Sequence, residues 1–290
     1  MKNVEASIRA RLTQKAKERG ITFQYASVLY MQEGLLARIA GSPYARNLIL
    51  KGGFLLFANE QAAGRTTKDI DFLGDGIPND PQALAEIFAV LVTREYGDGL
   101  SFDVGSIRSE RITEGAEYHG VRLHLTARLG TVRNTIQVDI GFGDALEGGP
   151  RSTILRKLLD DTPLAIITCP LATVLAEKLE STIALGDVNS RMKDLYDLWF
   201  VLEHVPLSDQ EILAALRATF ARRRTVMPEG PAVFSSEFAD SERTELLWKG
   251  FTRRSKLGDL ALSSILDIIK TRLEPLYTRM RLMPDRPPAS

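Results

Sequence analysis

Asp69 and Asp71 are separated by a single residue in the run Asp69-Ile70-Asp71-Phe72. Side chains alternate between faces along an extended strand, so the two carboxylates share one face and Ile70 and Phe72 take the other. Two acids so placed repel each other, and a divalent cation is the simplest way to offset the repulsion. Magnesium is commonly held by one or two carboxylates together with substrate phosphates. The run Ile136-Gln137-Val138-Asp139-Ile140-Gly141-Phe142 places a third carboxylate, Asp139, on the polar side of a second alternating strand. Acids converging from two strands suit a two-metal phosphoryl transfer, in which ions about 4 Å apart clamp the attacking and leaving oxygens. An isolated pair of this kind is a weak signal, because most are solvated acids at a loop or strand edge.

Upstream, Leu50-Lys51-Gly52-Gly53-Phe54 reads as a strand running through paired glycines into a helix. Glycines let a ligand approach the backbone, and a helix start offers N–H groups to an anion, so the segment could cradle a triphosphate. The same pair also marks plain turns. Lys51 adds charge there, or simply lays its stem along the surface. Arg65 and Thr67 lie just before the aspartates. Arg65 suits a phosphate and Thr67 a hydrogen bond to the site, with loop solvation as the alternative.

The hydrophobic pattern defines the elements that must position these residues. Helical spacing runs over 3–19 and 22–41, the second ending at Gly41-Ser42-Pro43. Residues 47–51 and 69–73 read as short strands, and 80–95 as a helix with Pro81 in its first turn. From 101 to 143 the period is two, and 102–112, 120–129 and 134–142 read as successive strands. In the middle one, Val121, Leu123, Leu125, Ala127 and Leu129 alternate with Arg122, His124, Thr126 and Arg128. Beside the Asp139 strand, its polar side offers His124 or Arg128 to a base or phosphate, although solvation is ordinary for a one-sided sheet. From Pro170 the pattern is helical almost to the end. The expected fold class is therefore α/β (α+β): a mixed sheet with flanking helices over 1–150, then an all-helical domain over 151–290. The division is expected near Gly148-Gly149-Pro150.

The chain has 290 residues, 44% hydrophobic and 26% charged, which suits one large or two modest domains with a full core. Lys+Arg and Asp+Glu are both 37, which excludes a protein that coats nucleic acid by net charge, though not a local basic patch. Cys169 is the one cysteine, so internal disulfides and cysteine zinc clusters are excluded. His119, His124 and His204 are too scattered to suggest a zinc site. The first 20 residues lack the apolar run of a signal peptide and no stretch is apolar enough to span a bilayer, so a cytoplasmic protein with no membrane partner is expected.

In the helical half, Lys178 sits at the edge of the stripe Leu171, Leu175, Leu179 and Ile183. A lysine there needs an anion, which a triphosphate or Asp194 would provide. Over 191–202 the apolar face is Leu195, Leu198, Trp199 and Leu202, and Asp194 borders it. The plain alternative is surface pairing of Arg191 with Asp194 and Lys193 with Asp197, each worth about 0.3 kcal/mol. For Asp197 a structural role, holding Arg191 or Lys193, is expected. Arg222-Arg223-Arg224 and Arg253-Arg254-Ser255-Lys256 are basic clusters, the second flanked by Trp248 and Phe251. Phosphate contacts with an aromatic platform would suit RNA.

Lys51-Gly52-Gly53, the run from Arg65 to Phe72 and the Val138-Asp139-Ile140 strand together resemble the minimal nucleotidyltransferase core shared by DNA polymerase beta and its relatives. The first motif there is usually Gly-Ser, and Gly52-Gly53 lacks the serine hydroxyl. Glu177-Lys178-Leu179-Glu180 and then Arg191-Met192-Lys193-Asp194-Leu195-Tyr196-Asp197-Leu198 narrow the resemblance to the AbiEii/AbiGii toxins of type IV-like toxin–antitoxin systems, over about Leu50 to Trp199. The resemblance implies a magnesium-dependent (or manganese-dependent) transfer of a nucleotide from an NTP to an acceptor hydroxyl. In relatives the acceptor is the tRNA 3′ end, and blocking it stops translation. By motif, Asp69 and Asp71 become metal ligands with Asp139 as the third, Lys178 a nucleotide contact, and Asp194 a catalytic or site-organising acid. A cognate antitoxin encoded by a neighbouring gene is the implied partner. The alternatives are a nucleotidyltransferase acting on a protein or small molecule, and a non-catalytic binding module on the same fold.

Overall fold

A computed structural model describes residues 4–58, 67, 69–114, 118–159 and 162–283. Among these, the first compact unit comprises the residues up to Gly143 together with Pro150–Cys169. The second comprises Asp144–Gly149 together with the residues from Pro170 on.

Seven strands of the first unit form one mixed sheet: β1 (Leu48–Lys51), β2 (Asp69–Gly74), β3 (Ser101–Glu114), β4 (Tyr118–Leu129), β5 (Val132–Phe142), β6 (Arg151–Leu155) and β7 (Leu164–Thr168). Across the sheet the order is β3-β4-β5-β2-β1-β7-β6. β2 is parallel to β5 and β1 to β7, while all other neighbours are antiparallel. The helices of this unit are α1 (Val4–Glu18), α2 (Phe23–Ala40), α3 (Gly52–Ala58) and α4 (Pro81–Val92). Thr22 caps α2 by accepting from the Tyr25 N–H, and Asp80 caps α4 by accepting from Ala83, with Pro81 at the first helical turn. α2 packs on β5 and β7, and α4 on β3 and β4. The period-two pattern supplies the buried sheet face, where Ile70, Phe72, Leu123, Val138 and Ile140 are fully buried. The helices bring Leu29, Leu35, Leu36, Leu84 and Phe88, also fully buried.

Arg38 of α2 lies in this core at 1% exposure. Its guanidinium donates to both Asp98 oxygens, at 2.6 and 3.1 Å, and to the Gly34 carbonyl at 2.9 Å. It lies 4.8 Å from the Phe102 ring centroid and 5.3 Å from that of Tyr96. A buried cation persists here because it is paired at its edge and covered by ring faces.

The second unit is helical: α5 (Leu171–Leu185), α6 (Met192–His204), α7 (Asp209–Arg223), the short α8 (Ser236–Ala239), α9 (Glu242–Ser255) and α10 (Leu262–Leu282). A reciprocal capping box between Ser208 and Glu211 starts α7. α5 packs on α6 and α7, and α10 packs on the same two. Leu175, Leu179, Leu195, Leu198, Leu216 and Ile269 are fully buried within it.

The α/β class and the helices and strands expected up to residue 143 are present. The sheet, however, runs on past the division expected at 150, because β6 and β7 occupy 151–168 beside β1. These strands are five residues each, and β6 is an edge, with four of its five side chains at least partly exposed. A period-two pattern has no length in which to stand out there.

Asp98→Ala removes the counter-charge of a buried guanidinium. It is expected to lower stability to urea by about 3 kcal/mol, the low end for a buried pair because Asp98 itself is 19% exposed.

Candidate active site

The strand registers align charged residues straight across the sheet. Lys51 of β1 pairs with Asp71 of β2, Asp71 with Asp139 of β5, Asp139 with Arg122 of β4, and Arg122 with Glu110 of β3. One step along the same face, a second row holds Asp69, Gln137, His124 and Arg108. The three aspartates therefore share one face, as the alternation requires, and Asp71 and Asp139 are immediate neighbours on adjacent strands.

Gly52 makes this packing possible. It sits where β1 turns into α3 with φ +65°, a left-handed conformation that favours glycine. A Cβ on it would lie 2.1 Å from Asp71 Oδ2 and 2.7 Å from its carboxyl carbon. The Asp71 carboxylate thus rests directly against the glycine backbone. Thr67 is buried and donates its hydroxyl to the Asp69 carbonyl at 3.3 Å, while its N–H donates to the Tyr25 phenol at 3.1 Å. It anchors the start of β2 and leaves the Asp69 carboxylate to the open face. Arg65 lies outside the described residues.

Asp139 is engaged from two sides. Arg122 donates Nε to Oδ1 at 2.8 Å and Nη2 to Oδ2 at 2.7 Å, a bidentate fork. Gln137 Nε2 donates to the same oxygens at 3.2 and 3.1 Å. The hydrogen bonds to Asp139 push the Arg122 pKa further up against the effect of burial, and the charges of Asp139, Asp69 and Glu110 add to this. Among the described residues no group of three or more His, Cys, Asp or Glu is arranged to hold a metal ion. Asp69 and Asp71, on one face of β2, are hard oxygen donors of the kind magnesium takes, and Asp139 beside them is shared with its arginine. Arg122 was not singled out from the sequence. The signal existed: Leu129 pairs with Val132, so Gly130-Thr131 is a two-residue hairpin turn, and counting back from it sets Arg122 opposite Asp139. Arg128, by contrast, lies 3.7 Å from Asp103.

In the helical unit, Lys178 of α5 lies 2.8 Å from Asp194 Oδ1 and 2.6 Å from Asp197 Oδ2, both on α6. The three side chains are 12%, 7% and 3% exposed. The anion that Lys178 needs is therefore supplied by two carboxylates. Asp197 holds Lys178, rather than Arg191 or Lys193 as expected, because one helical turn brings it to the same face as Asp194. Burial pushes the Asp194 carboxyl up, but the Lys178 charge and hydrogen bond, with Lys193 and Arg191 behind them, hold it below the ordinary carboxylate range.

Two expectations about the basic segments change. Arg223 turns inward, 2.6 Å from Glu180, 3.6 Å from Asp144 and 4.0 Å from Glu177, and against burial these acids raise its pKa further. Trp248 and Phe251 are buried, with the indole N–H donating to the Leu260 carbonyl at 2.7 Å, so they are core residues and form no exposed platform. Arg222, Arg224, Arg253, Arg254 and Lys256 are exposed. His204 Nδ1 lies 3.0 Å from the Phe200 carbonyl, at the end of α6.

The family model for the nucleotidyl transferase AbiEii toxins of type IV toxin–antitoxin systems matches residues 34–268. The chain belongs to this family. No curated protein matches the sequence. An H. pylori crystal structure provisionally named a nucleotidyltransferase is 11% identical with a TM-score of 0.54, covering 92% of this chain and 100% of its own. JHP933 from Helicobacter pylori is 12% identical with a TM-score of 0.50, covering 90% and 94%. At such identities the two structures speak for the fold. AbiEii membership makes the protein a nucleotidyltransferase of a toxin–antitoxin system, and the matched span takes in both the charged rows and the Lys178 cluster. Among the described residues, no helix of this AbiEii protein is long and apolar enough to cross a membrane.

Gly52→Ala places a methyl group where the Asp71 carboxylate lies. Displacing that acid is expected to cut nucleotidyl transfer by about 100-fold or more, with the melting temperature checked in parallel to separate this from unfolding. The Asp194 pKa gives a second expectation. Its folded value lies below the unfolded one, so its contribution is present above about pH 4 and is lost as pH falls through the folded value. Asp194→Asn should therefore unfold at lower urea than wild type at neutral pH, with the gap narrowing as the pH falls below the ordinary carboxylate range.

Proposed function

We propose that this AbiEii-family protein transfers a nucleoside monophosphate from an NTP to the 3′ end of tRNA with magnesium or manganese. It would act in the cytoplasm to block translation, restrained by a cognate antitoxin encoded next to it. The observation that carries the reading is the Asp69–Asp71 pair, with Asp71 seated on the left-handed Gly52 turn.

Asp69 and Asp71 would hold the divalent cation. When bound, the cation supplies the charge that lets neighbouring carboxylates and a polyphosphate share one site. Lys51 and Arg122 stand on either side of Asp71 and Asp139 in the row and offer fixed positive charge to phosphate oxygens. Gly52 and Gly53 leave the backbone open to the triphosphate. The acceptor oxygen bonds to the α-phosphorus, the bond from that phosphorus to pyrophosphate breaks, and the hydroxyl proton passes to solvent. The chain's part in this is placement and charge stabilisation. The helical unit's part, by the family motif, rests on Lys178 and Asp194. RNA is favoured as acceptor by the exposed Arg222, Arg224, Arg253, Arg254 and Lys256, since basic side chains of this kind take up backbone phosphates.

The test is incubation of the protein with each labelled NTP, magnesium and total tRNA. Label on tRNA is expected, and Asp69→Asn and Asp71→Asn should each reduce it by about 1,000-fold. Label on a protein or small molecule in a cell extract would replace the acceptor. Absence of label from every fraction would leave a binding module and overturn the reading.

A further inference from the structure

The partners of the third aspartate are set by the sheet itself. Asp139 accepts a guanidinium fork on both oxygens and a third donor, Gln137 Nε2, besides. Charge-assisted, bidentate bonds of this kind are roughly twice as strong as neutral ones. A cation on Asp139 would have to share two oxygens already held by a partner set directly opposite by strand register. Arg122 in turn is 34% exposed on its side chain, lies within reach of the Asp69 charge, and leaves Nη1 without a hydrogen-bond partner among the described residues. A partly exposed arginine fixed along one edge by a carboxylate, with a guanidinium nitrogen to spare, can receive a second anion.

We infer that Asp139 is a positioning residue for Arg122 and not a third metal ligand, and that Arg122 contacts a phosphate of the donor nucleotide. The cation site is then a two-carboxylate site, Asp69 and Asp71. This inference rests on the nucleotidyltransferase reading of the same sheet face.

Two measurements on the full chain test it. In the first, Mn2+ binding is followed by electron paramagnetic resonance. Asp71→Asn should weaken binding by about tenfold or more, and Asp139→Asn should leave it within about threefold of wild type. In the second, KM for the NTP and kcat are measured for single and double variants. Arg122→Met and Asp139→Asn should each raise KM by about tenfold, with kcat changing much less, since a contact present before the reaction is lost. The double variant should be no worse than Arg122→Met alone, because Asp139 acts only through the arginine. Arg122→Lys, which keeps the charge and loses the fork, should fall between wild type and Arg122→Met. Asp139→Ser replaces Asp139→Asn in both assays if the latter does not fold. Loss of Mn2+ binding in Asp139→Asn to the extent seen in Asp71→Asn would overturn the inference and leave the site reading standing. Multiplying effects in the double variant would overturn it equally. Failure of the wild-type chain to bind Mn2+ and to transfer label would remove the site reading and the inference together.

Discussion

Like charges held side by side on a sheet are the constraint around which the first unit is arranged. Three aspartates occupy one face, and the registers of β2 and β5 make two of them direct neighbours. Such an arrangement persists only if each carboxylate has its own compensation. Asp71 is packed against the chain at Gly52, where any side chain would intrude. For Asp139 the compensation comes from Arg122, delivered by the adjacent strand. The opposite face, filled by Ile70, Phe72, Val138 and Ile140, holds the strands so that the acids cannot turn away from one another.

The same device recurs in the helical unit with different proportions. One ammonium, Lys178, serves two acids on α6, and one guanidinium, Arg223, lies within 4.0 Å of three. In each cluster a cation is outnumbered by carboxylates. A buried ion pair of this sort contributes little net stability against a well-packed apolar alternative, yet removing the cation takes a counter-charge from several buried acids at once. Acids are drawn inward around these cations, while Arg222, Arg224, Arg253, Arg254 and Lys256 stay outside. A chain with 37 residues of each sign can thereby present a local basic surface without any net charge.

What the sequence revealed follows from how local each signal is. The shared face of Asp69 and Asp71 is a property of one strand, and the position of Asp139 a property of another, so alternation alone exposes both. Pro81 and Asp80 start α4 by chemistry confined to one turn. Pairing between strands is not local, and the partnership of Arg122 with Asp139 stayed hidden although the Gly130-Thr131 turn encodes it. Lys178 was recognisable as a lysine that requires an anion, but not as one that takes two, because that depends on how α5 meets α6. Trp248 and Phe251 resembled a stacking platform beside basic residues. Their amphipathic helix turns them to the core, and only the packing of α9 decides which side of the basic run is wet. The β6–β7 hairpin is not legible in the sequence because strands of five residues carry too little pattern.

The two-residue turn at Gly130-Thr131 has a consequence for how such a gene can vary in length. Ile136, Val138 and Ile140 are fully buried, so which side chains of β5 face the acids is held by the oily side of the strand as well as by the turn. One added codon at the turn can be taken up as a three-residue loop, with Asp139 still opposite Arg122. The same codon inside β5 has no loop to absorb it, and would turn everything beyond it to the other side of the sheet.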